Sequence, residues 1–260
     1  MSAGIVDGDA APVTILVMGV DARPGEAIDV GVRPDVLMLV RLDPAVGRCR
    51  LLSIPRDTRT ELPGYGLSKV NHALAVGGIP YELLVLQKML GIPIDHYALI
   101  NFEGFRTLVD VVGGIPIDVP ETVARDGVTV EAGQRHLTGE QALAYARYRD
   151  FRTEGDIGRI QRQWELLRGL GTTASERNLL GDLDSILPAV EEHIRSDLGA
   201  SDMAAIGQTY GGSCTVDTVD PHALVGTRQK LMDPILKQRL YYNVVDQAAI
   251  DESIAFLLGP

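Results

Sequence analysis

The sequence predicts an α/β fold: a single-domain α-β-α sandwich whose central mixed sheet is covered by helices on both faces. Three observations point there. Val13–Val20 is a continuous apolar run rich in β-branched residues, the pattern of a strand buried on both faces. Short strand-like runs then alternate with stretches of helical periodicity along most of the chain. Asp43-Pro44 and Gly47 fold one strand back on the next, so part of the sheet is antiparallel.

The first strand stops at Asp21-Ala22-Arg23-Pro24-Gly25, which puts Asp21 and Arg23 where open α/β sheets bind ligands. Arg33-Pro34-Asp35 leads into a second strand at residues 36–42, and residues 48–54 return as a third. That strand runs into Pro55-Arg56-Asp57-Thr58. Residues 69–73 open a short helix closed by Gly77-Gly78, and residues 81–90 form another, stopped by Gly91 and Pro93. A strand at 97–101, a helix at 102–112 stopped by Gly113-Gly114, and a strand at 115–119 follow. Thr138 with Gln141 is a capping box, so a helix is expected from Gly139 to about Arg147. Asp156 reads as the N-cap of the next helix, with Ile157, Ile160, Trp164 and Leu167 as its apolar stripe. Residues 169–181 read as a polar connection. Helices at 185–194 and 202–210, strands at 214–219 and 240–245, and an amphipathic helix at 247–258 complete the chain. No repeat, low-complexity tract or linker stands out. The expected organisation is a flexible segment at 1–12 and one domain over 13–260.

Composition narrows the function. The 260 residues are 45% hydrophobic and 23% charged, enough to bury a full core. A net charge of −11 argues against a general affinity for nucleic acid, which needs a basic footprint. No run reaches the roughly eighteen apolar residues of a membrane span. Residues 1–10 lack the basic start and apolar core of a signal peptide, so the chain is expected to be soluble. Cys49 and Cys214 are compatible with one disulfide or with two buried thiols. The histidines and cysteines show no zinc-ligand spacing.

Against this acidic background, Arg147, Arg149, Arg152, Arg159 and Arg162 crowd into one short stretch. Guanidinium groups are always charged, and their planar forks match phosphate oxygens bidentately, so the cluster calls for a phosphate-like anion. Asp156, Arg159 and Gln163 fall at i, i+3 and i+7, one line along the helix beside its apolar stripe. A solvated helix face accounts for any one arginine but poorly for the group. Arg23 and Arg162 read equally as surface charges, and Asp57 as a cap or a partner of Arg59. Lys69, Asn71 and His72 read as capping residues or as ligand contacts. Asn101, Gly104, Gly113 and Gly114 read as turn and cap positions.

Nine segments occur in order between about residues 14 and 167: V-M-G-V-D-A-R, R-P-D-V-L-M-L-V, L-L-S-I-P-R-D-T, K-V-N-H-A, L-G-I-P-I-D-H-Y, N-F-E-G-F, D-V-V-G-G-I-P-I-D-V-P, L-T-G-E-Q-A-L-A-Y-A-R-Y-R and G-D-I-G-R-I-Q-R-Q. Together they resemble the LytR-CpsA-Psr family of cell-envelope phosphotransferases. The resemblance implies transfer of a glycopolymer from a polyprenyl pyrophosphate, a membrane lipid carrier, onto peptidoglycan. It implies the extracytoplasmic face of the membrane as the place of action, although the family's usual N-terminal membrane helix is absent from residues 1–260. It also implies Mg²⁺ at Asp21 and Asp35, and pyrophosphate bound by Arg33, Arg56, Arg147, Arg149, Arg159 and Gln163. Asp21, Asp35, Arg56 and Asp156 become the catalytic candidates, with Asp156 orienting an arginine or helping to activate the acceptor hydroxyl. A polyprenyl carrier implies an apolar tunnel opening beside Arg147 and Arg149. Hydrolysis of the carrier pyrophosphate, its binding without catalysis, and transcriptional regulation are the competing readings. Acidic charge and the lack of a helix-turn-helix weigh against the last, and no nucleic-acid partner is expected.

Overall fold

A computed structural model describes residues 11–22, 25–45, 47–149, 155–177, 179, 183–210 and 218–259. Arg23, Arg152, Cys214 and the segment 1–10 lie outside the described residues, as does the side chain of Asp156.

The chain opens with an antiparallel meander of β1 (Val13–Val20), β2 (Pro34–Asp43) and β3 (Arg48–Ser53). A ribbon of β4 (Arg59–Leu62) and β5 (Gly66–Lys69) precedes α1 (His72–Leu90). Then β6 (His96–Asn101) enters the sheet parallel to β1, and α2 (Phe102–Val111) leaves it. Next come β7 (Ile115–Val119), the hairpin β8 (Val123–Arg125) and β9 (Val128–Val130), and β10 (Gly133–Leu137), which pairs back on β7. The helices α3 (Gly139–Arg147), α4 (Gly155–Glu176) and α5 (Leu183–Val190) follow. A 3₁₀ turn leads into β11 (Ile194–Ser196), α6 (Ala200–Tyr210) and β12 (Val219–Ala223). The hairpin β13 (Thr227–Met232) and β14 (Arg239–Val244) and the helix α7 (Gln247–Leu258) close the chain.

The central sheet runs β11-β6-β1-β2-β3-β12, with β1, β3, β6 and β12 parallel to one another and β2 and β11 opposed. It is the mixed sheet expected. Strand alternation divides the side chains between two faces. Leu16, Met18, Leu37, Leu39 and Leu52 pack on one side with Leu74, Val85 and Leu86 of α1 and Leu257 of α7. Met38, Leu42 and Leu51 face the other way, toward Trp164 of α4 and Ile206 of α6. A separate cluster joins α2, α3, β7 and Leu166 of α4. The ends of β1, β3 and β6 and the start of β2 therefore share one edge, and that edge carries the site.

Several expectations need correction. Gly169 does not end α4, which continues to Glu176. A Cβ at Gly169 would lie 2.9 Å from the Pro116 carbonyl oxygen, so glycine is there to let the helix lie close on β7. Because α4 begins at Gly155, Asp156 sits inside its first turn rather than at the N-cap. Ile157 is exposed, whereas Arg159 and Arg162 are buried; the helix turns its arginines inward at this end and its apolar side inward only from Ile160. The strand expected at 240–245 exists, but it pairs in a separate hairpin outside the central sheet. The helix expected at 185–194 stops at Val190, and residues 194–196 form an edge strand instead. The pair of helices expected across 69–90, by contrast, is borne out: α1 is two helical halves joined at Gly78, whose φ of 68° and ψ of −169° no helix contains. By length and composition α1 could cross a membrane, yet that break and its buried face against the sheet make it a core helix. Cys49 is disulfide-bonded.

Candidate active site

Topology sets the constellation. Asp21 follows β1, Asp35 is the second residue of β2, Arg56 follows β3, and Phe102 follows β6. All four lie along the strand-end edge where α/β sheets bind ligands. Arg56 donates to Asp35, and these two side chains line two cavities at once.

The first cavity, about 220 Å³, is lined by Arg56, Arg125, Arg147, Arg149, Arg159 and Gln163 beside Asp35. Both flanking helices are anchored to hold these groups. The capping box of Thr138 and Gln141 starts α3 as expected. Gly139 packs its backbone directly on the Arg106 carbonyl of α2 and donates to Asp110 at 2.7 Å. Arg147 ends that helix, 3.0 Å from Asp126 and 3.6 Å from Asp21, with its guanidinium 5.0 Å from the centre of the Phe102 ring. Arg159 enters from α4. Arg162, expected as an alternative surface charge, is instead buried; it stacks over Tyr148 and donates to the Tyr148 carbonyl at 3.3 Å. Arg125 was not anticipated. It precedes Asp126-Gly127, both at positive φ, in the turn of the β8–β9 hairpin. An Asp-Gly pair between alternating residues is the local signal that would have revealed it.

This cavity continues into an apolar one of about 380 Å³, with Val36, Phe102, Ala146 and Gln163 lining both. The apolar space lies between the sheet and helices α2 to α5, walled by residues such as Ala98, Phe105, Leu143 and Leu170. It occupies the gap where the core on the α4 side fails to merge into one cluster. Among the described residues, Asn101 and Gln163 are its only side chains with polar groups.

On the other side of the Asp35–Arg56 pair is a polar cavity of about 530 Å³. Asp21, Arg33, Asp57, Lys69, Asn71 and His72 line it. Arg33 is exposed here and is not gathered with the other arginines. Asp57 pairs with Lys69 at 2.6 Å, not with Arg59 as one alternative had it. Asn71 precedes α1 but makes no side-chain cap; it donates to the Pro34 carbonyl at 3.3 Å, and its backbone N–H bonds the Arg56 carbonyl. Asn101 does cap α2, accepting from Gly104 at 2.7 Å. A Cβ on Gly104 would collide with His193, so both residues hold structure as expected. Burial holds His72 below the usual histidine range, with Arg33 and Lys69 adding to the effect and Asp233 opposing it.

Asp21 and Asp35 line this same cavity. Among the described residues no group of three or more His, Cys, Asp or Glu could hold a metal alone. That donor set fits Mg²⁺, which prefers hard oxygen and is commonly bound by one or two carboxylates, waters and substrate phosphates.

A model of the LytR_cpsA_psr family matches residues 5–255 of this chain. The curated polyisoprenyl-teichoic acid–peptidoglycan teichoic acid transferase TagU of Bacillus cereus (strain AH820) is 36% identical over 241 residues, covering 92% of this chain and 76% of its own length. Among solved structures, B. subtilis TagV aligns over 95% of each chain with a TM-score of 0.79 and 32% identity. The structure of TagT bound to LI-WTA aligns over 98% of this chain and 93% of its own, with a TM-score of 0.76 and 25% identity.

Proposed function

This chain belongs to the LytR_cpsA_psr family, and from that premise we propose that it transfers a glycopolymer from a polyprenyl pyrophosphate carrier onto peptidoglycan at the membrane surface. One observation carries the donor: an arginine-lined cavity opens directly into an apolar one. A pyrophosphate bearing a prenyl chain has that same pairing of anionic head and hydrocarbon tail. The name of the TagU relative supports both the glycopolymer and the acceptor.

In the reaction, the acceptor hydroxyl attacks the phosphorus that bears the glycan. The bond from that phosphorus to the bridging oxygen breaks, and the electron pair leaves with the carrier monophosphate. The glycan remains on the acceptor through a phosphodiester. Arg149, Arg159 and Gln163 grip the pyrophosphate, while Arg56 and Arg147 face oxygens that gain charge as the bond breaks. Asp21 and Asp35 would hold Mg²⁺, which when bound supplies neutralisation of phosphate charge. Asp156, in the first turn of α4, would orient an arginine.

The test is direct. The purified chain is incubated with a lipid-linked oligosaccharide, soluble peptidoglycan fragments and Mg²⁺, and the products are resolved by mass spectrometry. Glycan phosphate on the fragment together with carrier monophosphate is the expected result. Equal release of glycan phosphate without acceptor would favour the hydrolase reading, and an unconsumed donor would sink both.

A further inference from the structure

The turn of the β13–β14 hairpin reaches back to the start of α1. Asp233, fully buried, accepts from the backbone N–H groups of Ile235 and Leu236 through Oδ1. Its Oδ2 accepts from Ser68 at 2.7 Å and from Tyr242 at 2.6 Å. Burial opposes its ionisation, but the hydrogen bonds from Leu236, Tyr242 and Ser68 outweigh that and hold the carboxyl below its usual range. The carboxylate is therefore acceptor-only, and the single hydroxyl proton of Ser68 is committed to it. His72 Nδ1 lies 2.8 Å from the same Ser68 oxygen. With the serine proton spent, this contact requires Nδ1 to carry hydrogen and donate. The imidazole is locked in one tautomer, and its lone pair lies on Nε2.

His72 lines the polar cavity, and among the described residues its ring makes no other hydrogen bond. The same first residues of α1 are tied to the catalytic edge, because Asn71 bonds the carbonyls of both Pro34 and Arg56. The hairpin contributes Leu236, Gln238 and Leu240 to the cavity wall. We propose that this polar cavity receives the acceptor sugar and that His72 Nε2 takes the proton of its attacking hydroxyl. The proposal rests on the transferase reading and adds to it the acceptor's place and the base. The donor fills the arginine-lined and apolar cavities, and the two substrates meet at Asp35 and Arg56. As the new phosphorus–oxygen bond forms, the hydroxyl proton passes to Nε2 and is later released to water. The electron pair of the broken bond leaves with the carrier monophosphate.

Charges facing His72 come from every side: Asp233 on the hairpin turn, Lys69 on β5, Asp57 after β3 and Arg33 before β2. The net effect keeps the ring neutral to lower pH than an ordinary histidine. The base is thus ready at neutral pH, and transfer should fall only in acid, below the ordinary 6.5.

His72→Asn is the decisive variant. Its amide N–H lies near the place of Nδ1 and keeps the donation to Ser68, but nothing replaces Nε2. The expected results are a loss of transfer to peptidoglycan fragments of about 100-fold or more, unchanged donor affinity and no acid limb in the pH profile. Transfer at the wild-type rate with the same acid limb would overturn the assignment. A second measurement needs no substitution. In ¹⁵N-histidine-labelled wild-type protein, NMR should show Nδ1 protonated and the His72 signals shifted by saturating peptidoglycan fragments. The opposite tautomer, or no shift, would also overturn it. Wild-type protein that transfers nothing fails the transferase reading itself, whereas active wild type with equally active His72→Asn fails this proposal alone.

Discussion

Lysine can replace the charge of Arg149 but not its planar fork. A bidentate, charge-assisted contact is worth roughly 1.5–3 kcal/mol, so Arg149→Lys should lower transfer about 10- to 100-fold with little change in melting temperature. Asp35→Asn should do likewise and also raise the Mg²⁺ concentration needed for half-maximal rate. Both variants assayed per folded molecule check this; lowered melting with intact activity would return the two residues to a structural role. Glu82 offers a test unrelated to catalysis. It is fully buried, its Oε2 accepts from the Leu74 N–H at 2.7 Å, and burial pushes its carboxyl up to about 8. The folded protein therefore holds a proton that the unfolded chain releases near 4.5. The stability this gives is complete below that value and is lost as pH rises toward 8, by at most about 1.4 kcal/mol per unit. Glu82→Gln keeps a neutral acceptor for Leu74, so it should flatten the decline and melt higher than wild type near pH 8. Thermal melts from pH 5 to 8.5 decide it. Arg149, Arg159 and Gln163 could be found in the sequence because their motifs are local. The partners of His72 could not: Ser68 and Asp233 lie far apart in the chain, and only the packed hairpin joins them.

Elements with strong local signals were legible. A β-branched run marked β1, a capping box marked α3, and α7 kept the bounds its periodicity suggested. Pairings were less so: β7 was legible at its observed bounds, but its partner β10 and the short local ribbon of β4 with β5 were not, because a short sequence window does not say which strand meets which. Glycine was read as a helix stop in two places, rightly at one and wrongly at the other. At Gly169 it serves close packing and the helix runs on; at Gly78 it breaks α1. The break has a use, since it folds the second half of α1 back so that Glu82 bonds Leu74 and steadies the turn carrying His72. Gly78→Ala would force a side chain into a backbone region reserved for glycine, with its Cβ 3.3 Å from the Asp29 carbonyl oxygen. The expected cost is about 1–3 kcal/mol, read from denaturant midpoints. An unchanged midpoint would mean that the bend is easily redistributed.

For the whole molecule, the arginine-lined cavity was foreseen in outline, while the apolar space behind it was foreseen only through the family resemblance. A void arises from how layers fail to close, and no single residue announces it. Ala98 lines that void from β6, the strand next to the sheet edge β11. Ala98→Phe should fill the space, hold or raise the melting temperature, and weaken binding of a long-chain prenyl pyrophosphate while sparing inorganic pyrophosphate. Calorimetry with both ligands separates the outcomes, and equal loss of both would place the lipid elsewhere. Among the described residues, Asp35 and Arg56 alone line both the arginine-lined and the polar cavities. If each substrate has its own doorway and the pair is where they touch, neither needs to leave before the other arrives. The enzyme would then have no cause to park the glycan on one of its own side chains between half-reactions. Its kinetics would be those of a ternary complex, in which an acceptor mimic slows turnover without competing against the lipid.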